Sequence, residues 1–184
     1  LSPEKWETGE AEERGQFRIF RVKEVQATSP RTGKELSFYL LECNDWVNVI
    51  SLTEAGEVVM IRQYRFGTQQ VELEIPGGVI EEGETPEQAA VRELEEETGY
   101  TGGEVSYLGS VSPNPAFHTN RCHTVVIQGV KPDGKQSLDP GEDLEVELQT
   151  LGDIPGLIAD GTIRHSLVMA AFQLLGLAAE TPAD

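Results

Sequence analysis

The sequence predicts an α+β fold: a mixed β-sheet held between helices, preceded by an N-terminal antiparallel β-hairpin. Three observations predict it. Strand-like runs of alternating or continuous apolar residues fill most of the chain from Gln16 to Ile75, a capped helix follows them, and the tail repeats apolar residues at helical spacing. With 184 residues the chain holds one domain with a sizeable core, or one domain with a small appendage.

Taken in order, Leu1 to Gly15 are acidic and polar, with Trp6 as the one anchor, and are expected to form an extended arm. Gln16 to Ala27 and Glu35 to Cys43 alternate apolar and polar residues around the turn formers Ser29, Pro30, Arg31, Thr32 and Gly33, the pattern of a hairpin. Such a hairpin cannot bury its own two faces and must dock on another element or another subunit. Val47 to Leu52 and Val58 to Tyr64 read as strands around the turn Thr53-Glu54-Ala55-Gly56, and Val71 to Ile75 as a further short strand.

A helix is predicted over Pro86 to Thr98. Thr85 is its N-cap, Pro86 takes the first position, Gln88 completes a capping box, and Gly99 suits the left-handed residue that ends it. Glu104 to Val111, Arg121 to Val130 and Leu144 to Leu148 are three more strands. The closing helix is predicted from Thr162 to Ala178, with Ile163, Leu167, Ala170, Ala171 and Leu174 on one side.

Composition excludes several partners. A formal net charge of −18 opposes binding to nucleic acid and to anionic membrane surfaces. No apolar stretch approaches the length needed to span a bilayer, and Leu1 to Arg14 lack the features of a signal peptide. Cys43 and Cys122 stand far apart with no companion cysteine, which points to thiols in a reducing cytoplasm. The same negative field repels phosphorylated substrates, so phosphate chemistry here requires local arginines and bound cations.

The segment that carries chemistry runs from Pro76-Gly77-Gly78 to Gly99-Tyr100. It places Glu95, Glu96 and Glu97 in the last turn of the predicted helix, where the backbone already carries partial negative charge and like charges repel. At ~100° per residue, Glu93, Glu96 and Glu97 share one sector and Glu95 turns away. On charge count alone a solvated acidic face is the plainer reading. The glycine loop just before the helix favours a site instead, and an all-oxygen cluster suits a hard cation, Mg²⁺ or Mn²⁺.

From Gly78 the order is five residues to Glu84, seven more to Arg92-Glu93-Leu94, then Glu96-Glu97, one residue, and Gly99. This resembles the Nudix box at each of its fixed positions; Tyr100, where the pattern usually has an aliphatic residue, is the one soft departure. Outside the box, three features resemble the ADP-ribose pyrophosphatase and nucleoside diphosphate sugar hydrolase branch. They are Ile61-Arg62-Gln63-Tyr64-Arg65 followed by Leu73-Glu74-Ile75-Pro76-Gly77-Gly78; Pro115, fifteen residues beyond Tyr100; and Gly141-Glu142-Asp143-Leu144-Glu145-Val146.

The resemblance implies a Nudix fold and metal-assisted attack of water on the diphosphate of ADP-ribose or another nucleoside diphosphate sugar. It implies Glu93 and Glu97 as principal metal ligands, with Glu96 nearby, the carbonyl of Gly77 on the same metal, and Glu84 and Arg92 as a brace between loop and helix. Glu142 is expected to bring a further carboxylate to the metal and water, so that Glu142, Glu96 and Glu97 are the candidates for the catalytic base. Arg65 is expected to contact the diphosphate. Arg62 is read as sharing its side of the strand, and Trp46 as a stacking surface for base or ribose. His118 and His123 carry no assignment.

The resemblance also implies a homodimer, with residues 1–44 as an arm and hairpin that helps build the partner's pocket and residues 45–184 as the catalytic domain. Two alternatives stand beside this reading: a Nudix hydrolase for another nucleoside diphosphate derivative, and a Nudix-fold sensor that binds a nucleotide sugar without cutting it. A sensor is expected to lose box carboxylates, whereas Glu93, Glu96 and Glu97 are all present.

Overall fold

A computed structural model describes residues 4–180. The chain divides into two compact units. One ends at Asn44 and takes in the segment Ser112–Arg121; the other comprises Asp45–Val111 and the chain from Cys122 onward.

The first unit is a four-stranded antiparallel sheet of β1 (Glu7–Thr8), β2 (Glu12–Gln16), β3 (Arg21–Thr28) and β4 (Glu35–Glu42). β3 is central, with β4 along one edge and β1 and β2 along the other. The hairpin between β3 and β4 turns where Ser29, Pro30, Arg31, Thr32 and Gly33 predict it, with Gly33 at φ +67°. Two expectations are corrected. The segment predicted as an arm pairs with β3, and Trp6 meets Phe38 edge-on at 5.4 Å between ring centroids. The strand predicted over Gln16 to Ala27 is split by a turn in which the Phe17 N–H donates to the Phe20 carbonyl at 2.9 Å while their rings pack together. Aromatic content reads as strand, yet here two phenylalanines close a bend.

The second unit is a seven-stranded mixed sheet with α-helices on its two faces. Its strands are β5 (Trp46–Thr53), β6 (Glu57–Arg65), β7 (Gln70–Glu74), β8 (Gly77–Val79), β9 (Glu104–Val111), β10 (Cys122–Val130) and β11 (Leu144–Thr150). The main path is β11-β6-β5-β10-β9, with β7 on β6 and β8 on β5. β5 and β10 pair in parallel and the other strand pairs are antiparallel. Alternation along β5 and β10 builds two cores. Val47, Val49, Val125 and Ile127 pack with Ala89, Ala90 and Leu94 of α1 (Pro86–Thr98), while Ile50 and Val126 pack with Val168 and Ala171 of α3 (Ser166–Glu180). The expected α+β architecture, a mixed sheet between helices, is the architecture of this unit.

α1 has the predicted bounds and the predicted capping box, with Thr85 Oγ1 accepting from Gln88 N–H and Gly99 closing the helix at φ +71°. The C-terminal region differs from expectation. α2 (Ile154–Ala159) lies where no element is predicted, and Pro155 sits in its first turn, where proline is tolerated. α3 starts at Ser166 rather than Thr162: Thr162 instead belongs to a turn held by the Asp160 carboxylate, and Ile163 is buried in the core ahead of the helix. Among the described residues no helix is long and apolar enough to cross a membrane.

Candidate active site

β8 and α1 bring the two halves of the glycine-rich segment together. Gly77 lies under β5, opposite Asn48, where a Cβ would strike the Val47 carbonyl oxygen; a Cβ on Gly78 would fall inside the Glu93 carboxylate. Only glycine permits that approach of backbone to acid. The Gly77 N–H donates to Glu97 Oε2 at 2.9 Å. Glu93 and Glu97 are buried, Glu96 is half-buried and Glu95 is exposed, the division that helical geometry predicts.

The electrostatics of these acids differ. Arg92 grips Glu84 with two bonds, Nε to Oε1 at 2.8 Å and a terminal nitrogen to Oε2 at 2.9 Å, and this holds the Glu84 carboxyl at about 2. The other terminal nitrogen reaches Glu93 at 2.8 Å and Glu96 at 3.1 Å. Glu84 and Arg92 therefore brace the loop against the helix. Glu97, 3% exposed, is not balanced in this way: burial pushes its carboxyl up to about 8, against the Gly77 hydrogen bond, and the charges of Glu93 and Glu142 add to the rise. Burial raises Glu93 as well, in spite of Arg92.

α1 has no basic residue in its last turn. Its terminal carbonyls find neutral donors in the segment after β10: Gln136 Nε2 donates to the Glu97 carbonyl at 2.7 Å, and the Ser137 N–H to the Glu96 carbonyl at 2.8 Å. These satisfy backbone acceptors and add no positive charge beside Glu97. Among the described residues no three His, Cys, Asp or Glu side chains are assembled into a metal cage. The donor chemistry nonetheless fits a hard cation, since two buried carboxylates one turn apart carry raised proton affinities that an oxygen-seeking divalent ion would relieve.

Beside this cluster is a cavity of about 600 Å³. Trp46, Val79, Cys122 and Leu167 form its apolar lining, and Arg65, Glu72, Glu74, Arg164 and His165 its charged lining; Gly77 and Gly78 open onto it. Arg65 donates to both oxygens of Glu74, at 3.0 and 2.7 Å. Burial alone would raise the Glu74 carboxyl, but His165 and Arg65 outweigh it and hold the group at about 2. His165 Nδ1 lies at the ionic distance of 3.2 Å from Glu74 Oε2 without hydrogen-bond alignment.

Arg62 is not where Arg65 is. The expectation that both share one face fails because strand side chains alternate, so residues three apart point to opposite faces. Arg62 follows Val58 and Met60 on the α3 side, does not line the cavity, and pairs with Glu147 of β11. Glu142 is half-buried in the turn before β11; its side chain accepts from the Asp139 N–H at 2.8 Å, and its charge reaches Glu93, Glu97 and Arg65. His123 lies away from the cavity lining, between Tyr107 at 3.0 Å and Asp45 at 3.2 Å, while His118 and Pro115 belong to the first unit.

Four cavity residues went unassigned on sequence grounds. Glu72 and Glu74 have a readable signal, since they alternate with apolar Leu73 and Ile75 on a strand buried on both faces. Arg164 and His165 have none, because the helical pattern predicted there runs through them.

The comparisons with known proteins agree with this geometry. The NUDIX domain matches residues 45–172. The ADP-ribose pyrophosphatase of Bacillus subtilis strain 168 is 33% identical over 132 residues, 71% of this chain and 71% of that protein. The ADP-sugar pyrophosphatase of Mus musculus is 38% identical over 129 residues, 66% of this chain and 58% of that protein. A crystal structure of an ADP compounds hydrolase superposes with a TM-score of 0.85 at 24% identity, covering 98% of this chain and 97% of the other, a likeness of fold. With the box residues gathered around Gly77 and Gly78 and the domain matched over most of its length, this chain belongs to the NUDIX family.

Proposed function

We propose that this protein hydrolyses the diphosphate of ADP-ribose or another nucleoside diphosphate sugar, giving a nucleoside monophosphate and a sugar phosphate. The observation that carries the reading is the cavity itself: buried Glu93, which has only a share of Arg92, and buried Glu97, which has no side-chain cation bonded to it, lie beneath the glycine strand at one side, and the anchored guanidinium of Arg65 lines the same space. The names of the relatives from Bacillus subtilis and Mus musculus support the substrate class.

In this mechanism Glu93, Glu97 and the Gly77 carbonyl would hold a divalent cation, Mg²⁺ or Mn²⁺, with Glu96 and Glu142 as further acidic groups available to it. When bound, the cation neutralises phosphate charge and acidifies water. Arg65 orients the diphosphate with the guanidinium donors that Glu74 leaves open to the cavity. Trp46 offers a flat apolar surface to the base. Water adds to one phosphorus, the bridging oxygen leaves with the other phosphate, and Glu142 takes the water proton. Glu142 reaches the water when the Asp139 contact that now holds its carboxylate opens, a change within one loop.

We assign residues 1–44 to a two-fold dimer contact and residues 45–184 to catalysis. Phe17, Ile19, Leu36, Phe38 and Tyr39 are exposed apolar or aromatic side chains of the first unit, some of which a second copy would cover. Cys43 and Cys122 are not joined in a disulfide, which fits a cytoplasmic location. The deciding experiment measures hydrolysis of ADP-ribose, ADP-glucose, GDP-mannose and a nucleoside triphosphate with Mg²⁺. The expected result is a higher kcat/KM for the diphosphate sugars; a preference for the triphosphate overturns the reading. Light scattering of the parent and of Phe38→Asp tests the dimer.

A further inference from the structure

β7 buries two acids on one face. Glu72 is 5% exposed and Glu74 2% exposed, and their side chains follow the strand repeat, two residues or roughly 7 Å apart. Each anchors a guanidinium that stays open to the cavity. Glu74 holds Arg65, and Glu72 Oε2 accepts from Arg164 Nε at 3.2 Å and from a terminal nitrogen at 3.1 Å. The arginine side chains are 43% and 46% exposed, so carboxylates form the back of the wall and cations its front.

Trp46 pairs across the sheet with Val79, and Asn48 with Gly77. Moving back along the chain from Gly77, Glu74 with Arg65 comes next and Glu72 with Arg164 follows. An apolar surface, the Gly77 backbone and two anchored arginines thus line one cavity. A substrate with its base at Trp46 and its diphosphate between Gly77 and Arg65 leaves Arg164 as the second anchored cation, open to the group beyond the diphosphate.

We propose that Arg164, held by Glu72, is the subsite for the sugar phosphate half of the substrate and sets which sugar is accepted. The inference rests on the hydrolysis reading above and deepens it. Arg164 presents planar, forked donors that suit both the hydroxyls of a sugar ring and its phosphate, and Glu72 behind it fixes the plane of that guanidinium. Thr68 of the β6–β7 turn lines the same cavity and carries a hydroxyl. Glu72 is a positioning residue in this account, and Arg164 touches the substrate.

The test uses the two products as separate probes. Removing Arg164 alone strands a buried carboxylate, so the pair is exchanged together as Glu72→Gln with Arg164→Met, with Arg164→Lys as a charge-keeping control. Dissociation constants for ribose 5-phosphate and for AMP are measured by calorimetry on the full chain with Mg²⁺, beside the thermal midpoint of each variant. We expect binding of ribose 5-phosphate to weaken at least about tenfold in the double variant, AMP to stay within about twofold, and Arg164→Lys to recover only part of the loss. Equal weakening of both products, or no change for ribose 5-phosphate, overturns the subsite. Absence of diphosphate sugar hydrolysis by the parent defeats the functional reading instead, and the product-binding measurement keeps the two failures distinct.

Discussion

β7 and the last turns of α1 both bury two glutamates beside one cavity, and they treat them in opposite ways. On β7, Glu72 and Glu74 each meet an arginine of the chain, and Glu74 is held at about 2 in spite of its burial by His165 and Arg65. On α1, Glu93 shares Arg92 with Glu84 and Glu96, Glu97 accepts a backbone N–H, and burial pushes Glu97 up to about 8. The strand spends its acids on holding arginines in place. The helix leaves its acids hungry for a charge from outside the chain. A buried carboxylate paired within the fold organises structure, and one left uncompensated marks where a cation is to bind.

The largest expected effects follow from supplying or withholding that outside charge. Chelation of divalent metal by EDTA is expected to abolish hydrolysis, and Glu97→Gln to lower kcat by at least about a hundredfold while the fold is kept. At pH 8 and above, the same variant is expected to raise the thermal midpoint of the metal-free protein, because it removes a buried charge. Activity at the parent level, or a lowered midpoint, breaks the contrast with β7. Glu142→Gln is expected to lower kcat by about a hundredfold with a small change in KM, as loss of a general base does. Recovery with excess metal would instead make Glu142 a ligand.

Next in size are the stability effects, and the two regions carry opposite signs. Glu97 has a folded value above its unfolded one, so its contribution is present below about pH 4.5 and is lost as pH rises toward about 8, by about 1 kcal/mol per pH unit across that window. Glu74 has a folded value below its unfolded one, so its contribution is present above about pH 4.5 and is lost as pH falls toward about 2. Urea unfolding of metal-free protein from pH 3 to 9 is expected to show losses at both ends. Saturating Mg²⁺ should remove the alkaline loss only, and Glu74→Gln should remove part of the acid loss. Breaking the Glu74 pair is expected to cost about 1–3 kcal/mol, less than a fully buried pair because Arg65 remains partly hydrated.

The helix side of this contrast is readable in the sequence; on the strand side the buried acids leave a signal, and their distant partners do not. Thr85, Pro86, Gln88 and Gly99 are local signals that set the bounds of α1, and its 3.6-residue period separates Glu93 and Glu97 from Glu95 without reference to anything distant. Pairing across distance left no such mark. Glu72 and Arg164 are 92 positions apart, and neither belongs to a motif that names the other. β8 was missed because two glycines carry no strand propensity; the sheet contact beneath Val47 forms there because they lack side chains. The start of α3 was misplaced because Ile163 has the helical spacing of a core residue while its backbone bonds the Leu157 carbonyl in a turn.

The smallest expected effect distinguishes the two arginines of β6. Arg62 and Arg65 are three residues apart on one strand, and a motif that contains both cannot say which meets substrate. The strand period does, by placing Arg65 on the face that opens to the cavity and Arg62 on the other, against Glu147. The Arg62 pair is about one-third exposed on both sides, so screening leaves it worth ~0–1 kcal/mol and Arg62→Ala should move the unfolding midpoint little. Arg65→Ala, in contrast, should raise KM for ADP-ribose at least about tenfold, since it removes a charged donor to the diphosphate and releases the Glu74 carboxylate behind it. Steady-state kinetics of the two variants, run beside the parent, check this directly. A KM for Arg62→Ala that rises as far as that for Arg65→Ala would show that substrate reaches the α3 face of β6, and the cavity on the Glu74 side would then lose its claim to the diphosphate.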